Sequence, residues 1–192
     1  MSEIAVPLLY AMAKSCSGSD NPHLTLATAE DGTRYAAWSY GAVRLPRDVL
    51  RGVPDGQWRL FASGEICHYE NDRAVTPGLV RTQLLPLLGQ VRPTAVHESP
   101  WMLQAGYGVQ RLLDRSDGSA AVVNQAFWAC WSQVSPLPIW QLGGPSKPLV
   151  WAKDKTARGE AVLLPIWKGA DVRVPLIYQG AAAMASEGGP NE

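Results

Sequence analysis

Arg158-Gly-Glu-Ala-Val-Leu-Leu-Pro-Ile-Trp167 is a near-continuous apolar run with a proline two residues from its end. Its length and its aliphatic content predict a strand. Working back from it, residues 148–153 form a second apolar run, Gly143-Gly144-Pro145 a turn, and residues 139–142 a third run. Pro136 and Pro138 close a segment over 122–134 that reads as a helix, with Asn124 as its N-cap. A helix followed by three strands is therefore the unit that ends in the quoted stretch.

The first half of the chain has a similar order. Ile4, Leu8, Leu9 and Met12 fall at helical spacing over 4–15, with Pro7 early enough for a first turn. Residues 15–22 are a polar loop. Residues 24–29 alternate, Asp31-Gly32 is a hairpin signal, and 33–45 resume as one strand closed by Pro46. Val53-Pro-Asp-Gly56 is a turn, 57–62 a strand, Ser63-Gly64 a turn and 65–69 a returning strand. Leu79, Leu84, Leu87 and Leu88 fit a short helix ending near Gly89. A strand is predicted over 94–98, a helix over 101–113 and a turn at Asp117-Gly118. Val172 to Tyr178 fits a last strand, and 181–192 a frayed tail. The expected fold is one α+β domain over 1–180, antiparallel, with two alike halves of about 1–93 and 94–180.

Two segments resemble a DNA sliding-clamp domain of the bacterial and phage kind. Residues 8–46 carry a helix, a polar loop, Leu24-Thr-Leu-Ala-Thr-Ala29, the Asp31-Gly32 turn and Ala37-Trp-Ser-Tyr-Gly-Ala-Val-Arg44. The last of these approximates a clamp pattern but lacks its Asp. Residues 123–167 carry Val123-Asn-Gln-Ala-Phe127, similar to a clamp's Val-Asn helix start, and Ala161-Val-Leu-Leu-Pro-Ile166, similar to its Val-x-Met-Pro-Met end. The resemblance implies a non-catalytic domain in a phage or bacterial replication context. It implies a protein partner, with DNA and further copies of the chain as candidates. Clamp partners insert apolar peptides beside the C-terminal strand, which implies a partner site at Leu164, Pro165 and Ile166. Clamps also present Lys and Arg from their helices to phosphates. Here the first helix offers only Lys14, and the second offers no base. The resemblance thus implies a clamp fold that serves as a binding surface without the DNA duty.

The bulk properties are those of an ordinary globular protein. The 192 residues suffice for a core without disulfides or metals. Seventeen basic and seventeen acidic residues cancel, so no overall pull toward nucleic acid or acidic membrane is expected. Three widely spaced cysteines, Cys16, Cys67 and Cys130, read as free and mostly buried thiols of a reducing compartment. Met1-Ser-Glu-Ile4 is not the start of a signal peptide, and no apolar stretch is long enough to span a bilayer. A cytoplasmic location is expected.

Catalytic signatures are weak throughout. Cys67-His68 are neighbours in a strand and point to opposite faces, beyond the reach a nucleophile and base need. His97-Glu98 begins an HExxH pattern with no second histidine, so no metal or cofactor is expected. Gly106-Tyr-Gly108 and Gly143-Gly144 lack the frame of a phosphate loop, and Ser39 and Ser63 lack a nucleophile elbow.

The eight tryptophans allow two readings. They are an aromatic core, or they are a stacking platform for single-stranded nucleic acid. For the second, Trp151 stacks while Lys147, Lys153, Lys155, Arg158 and Lys168 follow the backbone; a Trp-rich inhibitor-like protein that binds a host protein is the related alternative. Arg44, Arg47 and Arg51 form a second small basic group.

Overall fold

A computed structural model describes residues 6–18, 22–70, 75–106, 108–134 and 136–166. Among the described residues the fold is mixed α+β, built on an open antiparallel sheet of eleven strands with few helices. Helix α1 (Val6–Ser17) precedes β1 (His23–Thr28), β2 (Arg34–Trp38), β3 (Gly41–Arg44), β4 (Gly56–Leu60) and β5 (Ile66–His68). A helical segment follows. It starts as α2 (Pro77–Leu79), widens to a π turn (Val80–Leu84) and tightens to a 3-10 turn (Leu85–Gly89). Then come β6 (Thr94–Ala105), β7 (Gly108–Arg115), β8 (Ala120–Asn124), helix α3 (Gln125–Trp131), β9 (Ile139–Gln141), β10 (Leu149–Trp151) and β11 (Ala161–Leu163). Across the sheet the order is β5-β4-β1-β2-β3-β11-β10-β9-β6-β7-β8.

The middle of the sheet is covered on both faces. On one face α1 (Leu9, Met12, Ala13) and α3 (Trp128, Trp131) cover Leu24, Leu26, Trp38, Val43, Leu149, Trp151 and Leu163. On the other, the 77–89 segment lays Val80, Leu84, Leu85 and Leu88 on Tyr35, Ala37, Ala42, Val150 and Val162. Double coverage explains why β2, β3, β10 and β11 read as unbroken apolar runs rather than alternating ones. It also explains the aromatic contacts within the core. The indole of Trp131 meets that of Trp38 edge-on with ring centres 5.4 Å apart, and Trp128 lies 6.0 Å from Trp151.

Early and late parts of the chain meet where β3 pairs with β11, Gly41 opposite Leu163 and Val43 opposite Ala161. The Trp131 indole N–H donates to the Val162 carbonyl at this joint (3.1 Å). Gly41 leaves room for that contact. A Cβ built there stands 2.2 Å from the Val162 oxygen and 3.0 Å from the Trp131 ring.

The structure corrects three sequence expectations. Residues 33–45 are a hairpin, not one strand: Trp38 pairs with Gly41 and the chain turns at Ser39-Tyr40. Residues 101–113 are strand, not helix, with Met102 opposite Arg111 and Gln104 opposite Val109. Their apolar spacing satisfies both periods, and the turn before Gly108, at φ +97, closes a hairpin. The helix expected over 122–134 begins later, because 120–124 extend β8 beside β7. Asn124 does cap it, its Oδ1 accepting the Ala126 N–H at 2.8 Å. The strand expected at Val172 to Tyr178 and the tail from 181 lie outside the described residues.

Replacing Gly41 by Ala is expected to cost about 3 kcal/mol of unfolding free energy, since a methyl is forced into a closed strand pair. Gly89→Ala, with open space around the position, is expected to change stability by less than ~0.5 kcal/mol. Denaturant melts of the two variants test the joint, and equal midpoints would remove it.

Candidate partner-binding surface

Tyr40 occupies the β2–β3 turn, so its backbone bonds to the adjoining strand while its ring points outward. The ring is 44% exposed and rests on Phe127 with centres 4.8 Å apart. Phe127 stands in the first turn of α3, and its own ring lies 6.5 Å from Trp131. The exposed pair is therefore anchored to the buried tryptophans behind it.

The chain leaving β11 passes the same place. Leu164 N–H donates to the Tyr40 carbonyl (2.7 Å), and Ile166 N–H donates to the Val122 carbonyl on β8 (3.0 Å). The three residues expected to line a partner site divide here. Ile166 is half-buried beside β8. Leu164 is half-buried and leans on the cluster under the 77–89 segment, and Pro165 is buried. Tyr40 and Phe127 were not anticipated. They lie far apart in sequence, and the local sign of their packing is that Phe127 precedes Trp131 by one helical turn.

The basic residues do not converge on a groove. Lys147 lies in the turn between β9 and β10, whereas Lys153, Lys155 and Arg158 lie in the turn between β10 and β11, at the other end of β10. Arg158 pairs with Asp31, and Arg44 pairs with Glu160 at 2.8 Å. Asp154 turns inward on its own loop, accepting the N–H groups of Thr156 and Ala157 (2.8 Å each). Trp151 is 1% exposed and offers no face for stacking; its place is in the core against Trp128. Lys168 lies outside the described residues.

The remaining candidates are scattered. Cys67 and His68 sit on the edge strand β5, both exposed, Cys67 opposite Arg59 and His68 edge-on to Trp58 at 5.4 Å. Glu98 pairs with Arg111 (3.1 Å). Among the described residues no group of three or more His, Cys, Asp or Glu is placed to hold a metal ion, and no helix is long and apolar enough to cross a membrane. Cys16 and Cys130 are half-buried, so the thiols are less sequestered than expected.

Charge is used to fasten loops to the sheet. Asp55 accepts the Thr28 N–H (2.7 Å) and hydroxyl (2.8 Å) and pairs with Arg81 of the helical segment (2.7 Å). Burial alone raises its pKa, but the bonds from Thr28 and Arg81 outweigh burial and hold the carboxyl below its ordinary value. The bonds from Arg115 and Ser119 depress Asp117 further still. Arg115 itself is buried and also reaches Gln141 and Thr94, tying β7 to β9 and β6.

No family model, no curated protein and no solved structure matches this chain.

A depressed carboxyl stabilises the fold above its unfolded pKa and loses that contribution as pH falls through the folded one. The unfolding midpoint is therefore expected to drop between about pH 4 and pH 2. Asp55→Asn is expected to be less stable at pH 7 and to show a shallower acid limb. Parallel limbs for the two proteins would show that Asp55 carries none of the dependence.

Proposed function

We propose that this chain is a non-catalytic binding domain of the sliding-clamp kind, from a phage or bacterial replication context, whose partner is a protein that docks an apolar segment on Tyr40, Phe127 and Ile166. The observation that carries this reading is the strand register on either side of the β3–β11 joint. About the pair Ala42 and Val162, β2 answers to β10 and β1 to β9. Ala36 takes the place of Leu149, Ala37 that of Val150, and Trp38 that of Trp151. Beyond them β4 flanks β1 as β6 flanks β9. The helix preceding each triplet lies on the same face, and the two helices touch. Helix-plus-strands units related in this way are what the resemblance to clamps implies.

Electrostatics favour a protein over DNA within this reading. A clamp turns its helices toward the duplex, and affinity for the backbone scales with the cations presented. Here α1 carries Lys14, and α3 carries no base. The exposed positions of the two helices are Pro7, Ala11, Lys14, Ala126 and Ala129, with Lys14 the one base among them. The 77–89 segment covers the sheet face opposite the two helices. The single-strand reading has less support, since Trp38, Trp128, Trp131 and Trp151 are all buried and Lys147 stands apart from the other lysines.

Fluorescence anisotropy with a labelled clamp-binding peptide tests the proposal. The unmodified chain is expected to give a saturable rise. Tyr40→Ala and Ile166→Asp are each expected to weaken it about tenfold or more, the loss of an anchoring contact being worth about 1.4 kcal/mol or above. Labelled duplex DNA at low salt is expected to give none. An unchanged peptide signal at all chain concentrations sinks the reading, and a salt-sensitive rise with the duplex moves it to DNA.

A further inference from the structure

The chain leaves β11 beside the end strand of the sheet, where the Ile166 N–H donates to the Val122 carbonyl on β8. Residues 167–192 follow. Helix α3 packs on the side of β7 and β8 that carries Leu113, Ala121 and Val123. The opposite side carries Gln110, Leu112 and Asp114 of β7, with Val122 of β8 across from Leu112. The cluster under the 77–89 segment takes in no residue of β6, β7 or β8, and Leu112 belongs to neither cluster. Yet Leu112 is 1% exposed and Gln110 0%. Both polar atoms of the Gln110 amide and Oδ1 of Asp114 are buried without a hydrogen-bond partner among the described residues. Buried polar groups in this state are costly, and several on one side of one strand mark a surface built to be covered.

We infer that this side of β7 and β8 is a docking surface for the chain's own segment Val172-Arg-Val-Pro-Leu-Ile-Tyr178: the segment lies over Leu112, with Arg173 on Asp114 and one of its peptide units on the Gln110 amide. The reach is sufficient. Residues 167–171 span at most about 17 Å when extended, and β7 lies one strand beyond β8, about 5 Å away. The chemistry is complementary. The segment offers aliphatic side chains to Leu112 and Val122, and its one charge is a cation for the carboxylate oxygen that lacks a partner. A peptide unit supplies one N–H and one carbonyl, the pair that a free carboxamide needs. Pro175 has no N–H to give to a strand ladder, which suits a segment laid across side chains rather than added to the sheet edge. The competing occupants are the same segment of a second copy and a different protein.

Hydrogen exchange of the full chain, read by mass spectrometry over 172–178, decides among them. The amides there are expected to exchange about tenfold or more slowly than in a free peptide of the same sequence, and equally so at low and high chain concentration. Asp114→Asn and Arg173→Gln are each expected to speed this exchange about threefold or more, and the double variant no further than the faster single, because effects at contacting residues do not add. Gln110→Ala is expected to act in the same direction while leaving exchange over 149–151 unchanged. Exchange at the free-peptide rate overturns the inference and leaves the surface to a different protein. Protection that fades on dilution overturns it in favour of a second copy. Additive effects of the two charge variants put the segment elsewhere and overturn it as well. Should Gln110→Ala not fold, the two charge variants decide. No partner is present in this measurement, so its failure is separate from a failure of the peptide titration.

Discussion

The indole of Trp131, held over Gly41 and bonded to the Val162 carbonyl, is the contact on which the rest of the architecture depends. It touches three elements that are remote in sequence. Gly41 belongs to β3, Val162 to β11 and Trp131 to α3. A strand pair alone leaves two edges free to slide, and sliding by one residue exchanges the two faces of each strand. A large ring locked by a hydrogen bond against one carbonyl forbids that slip. Because both faces are buried here, a slipped register would expose the two clusters together. The fit also fixes where α3 lies, and through Trp131 and Phe127 it sets the orientation of the Tyr40 ring at the surface.

Outside this joint, polar side chains attach loops to the sheet. Asp55 ties the turn before β4 to β1 and to Arg81, and buried Arg115 spans three strands. Arg92 is buried with no carboxylate among the described residues in contact, and its two terminal nitrogens donate to the carbonyls of Leu88 and Ala157. Those carbonyls belong to the 3-10 turn and the β10–β11 loop, so Arg92 joins the two segments. Gly159 completes the arrangement. Its N–H bonds to the Leu88 carbonyl (2.7 Å), and a Cβ there stands 2.5 Å from Val150. These anchors hold the 77–89 segment on the sheet and so maintain the second covered face.

The legible parts of the fold were those governed by local chemistry. Asp31-Gly32 turns where the dipeptide predicts, with the Ala29 N–H donating to the Thr33 carbonyl. Asn124 caps α3, and the prolines at 136 and 138 follow its end. Strands 24–29, 57–62 and 139–142 were found to within a residue or two. The failures share a physical cause. Where a strand is buried on both faces no alternation marks it, so the Ser39-Tyr40 turn inside an apolar run left no trace except the glycine after it. In 101–113 the apolar residues fit a helix and a hairpin alike, and only the pairing of β6 with β7 decides. Of the proposed surface, Ile166 lies in the quoted 158–167 stretch, whereas Tyr40 and Phe127 meet only through folding, and the basic residues close in sequence are parted by the short strand between them.

The central position of β3 and β11 has a consequence for biosynthesis. On the ribosome the first three strands emerge long before the eleventh, and β3 must wait with an unpaired margin flanked by apolar residues on both sides. Contacts between distant segments form slowly because the intervening chain has to be ordered first. A nascent polypeptide in this condition is vulnerable to pairing with its neighbours on the same message. Holding by a chaperone, or a translational pause after the final strand has cleared the exit tunnel, would protect a margin of this kind.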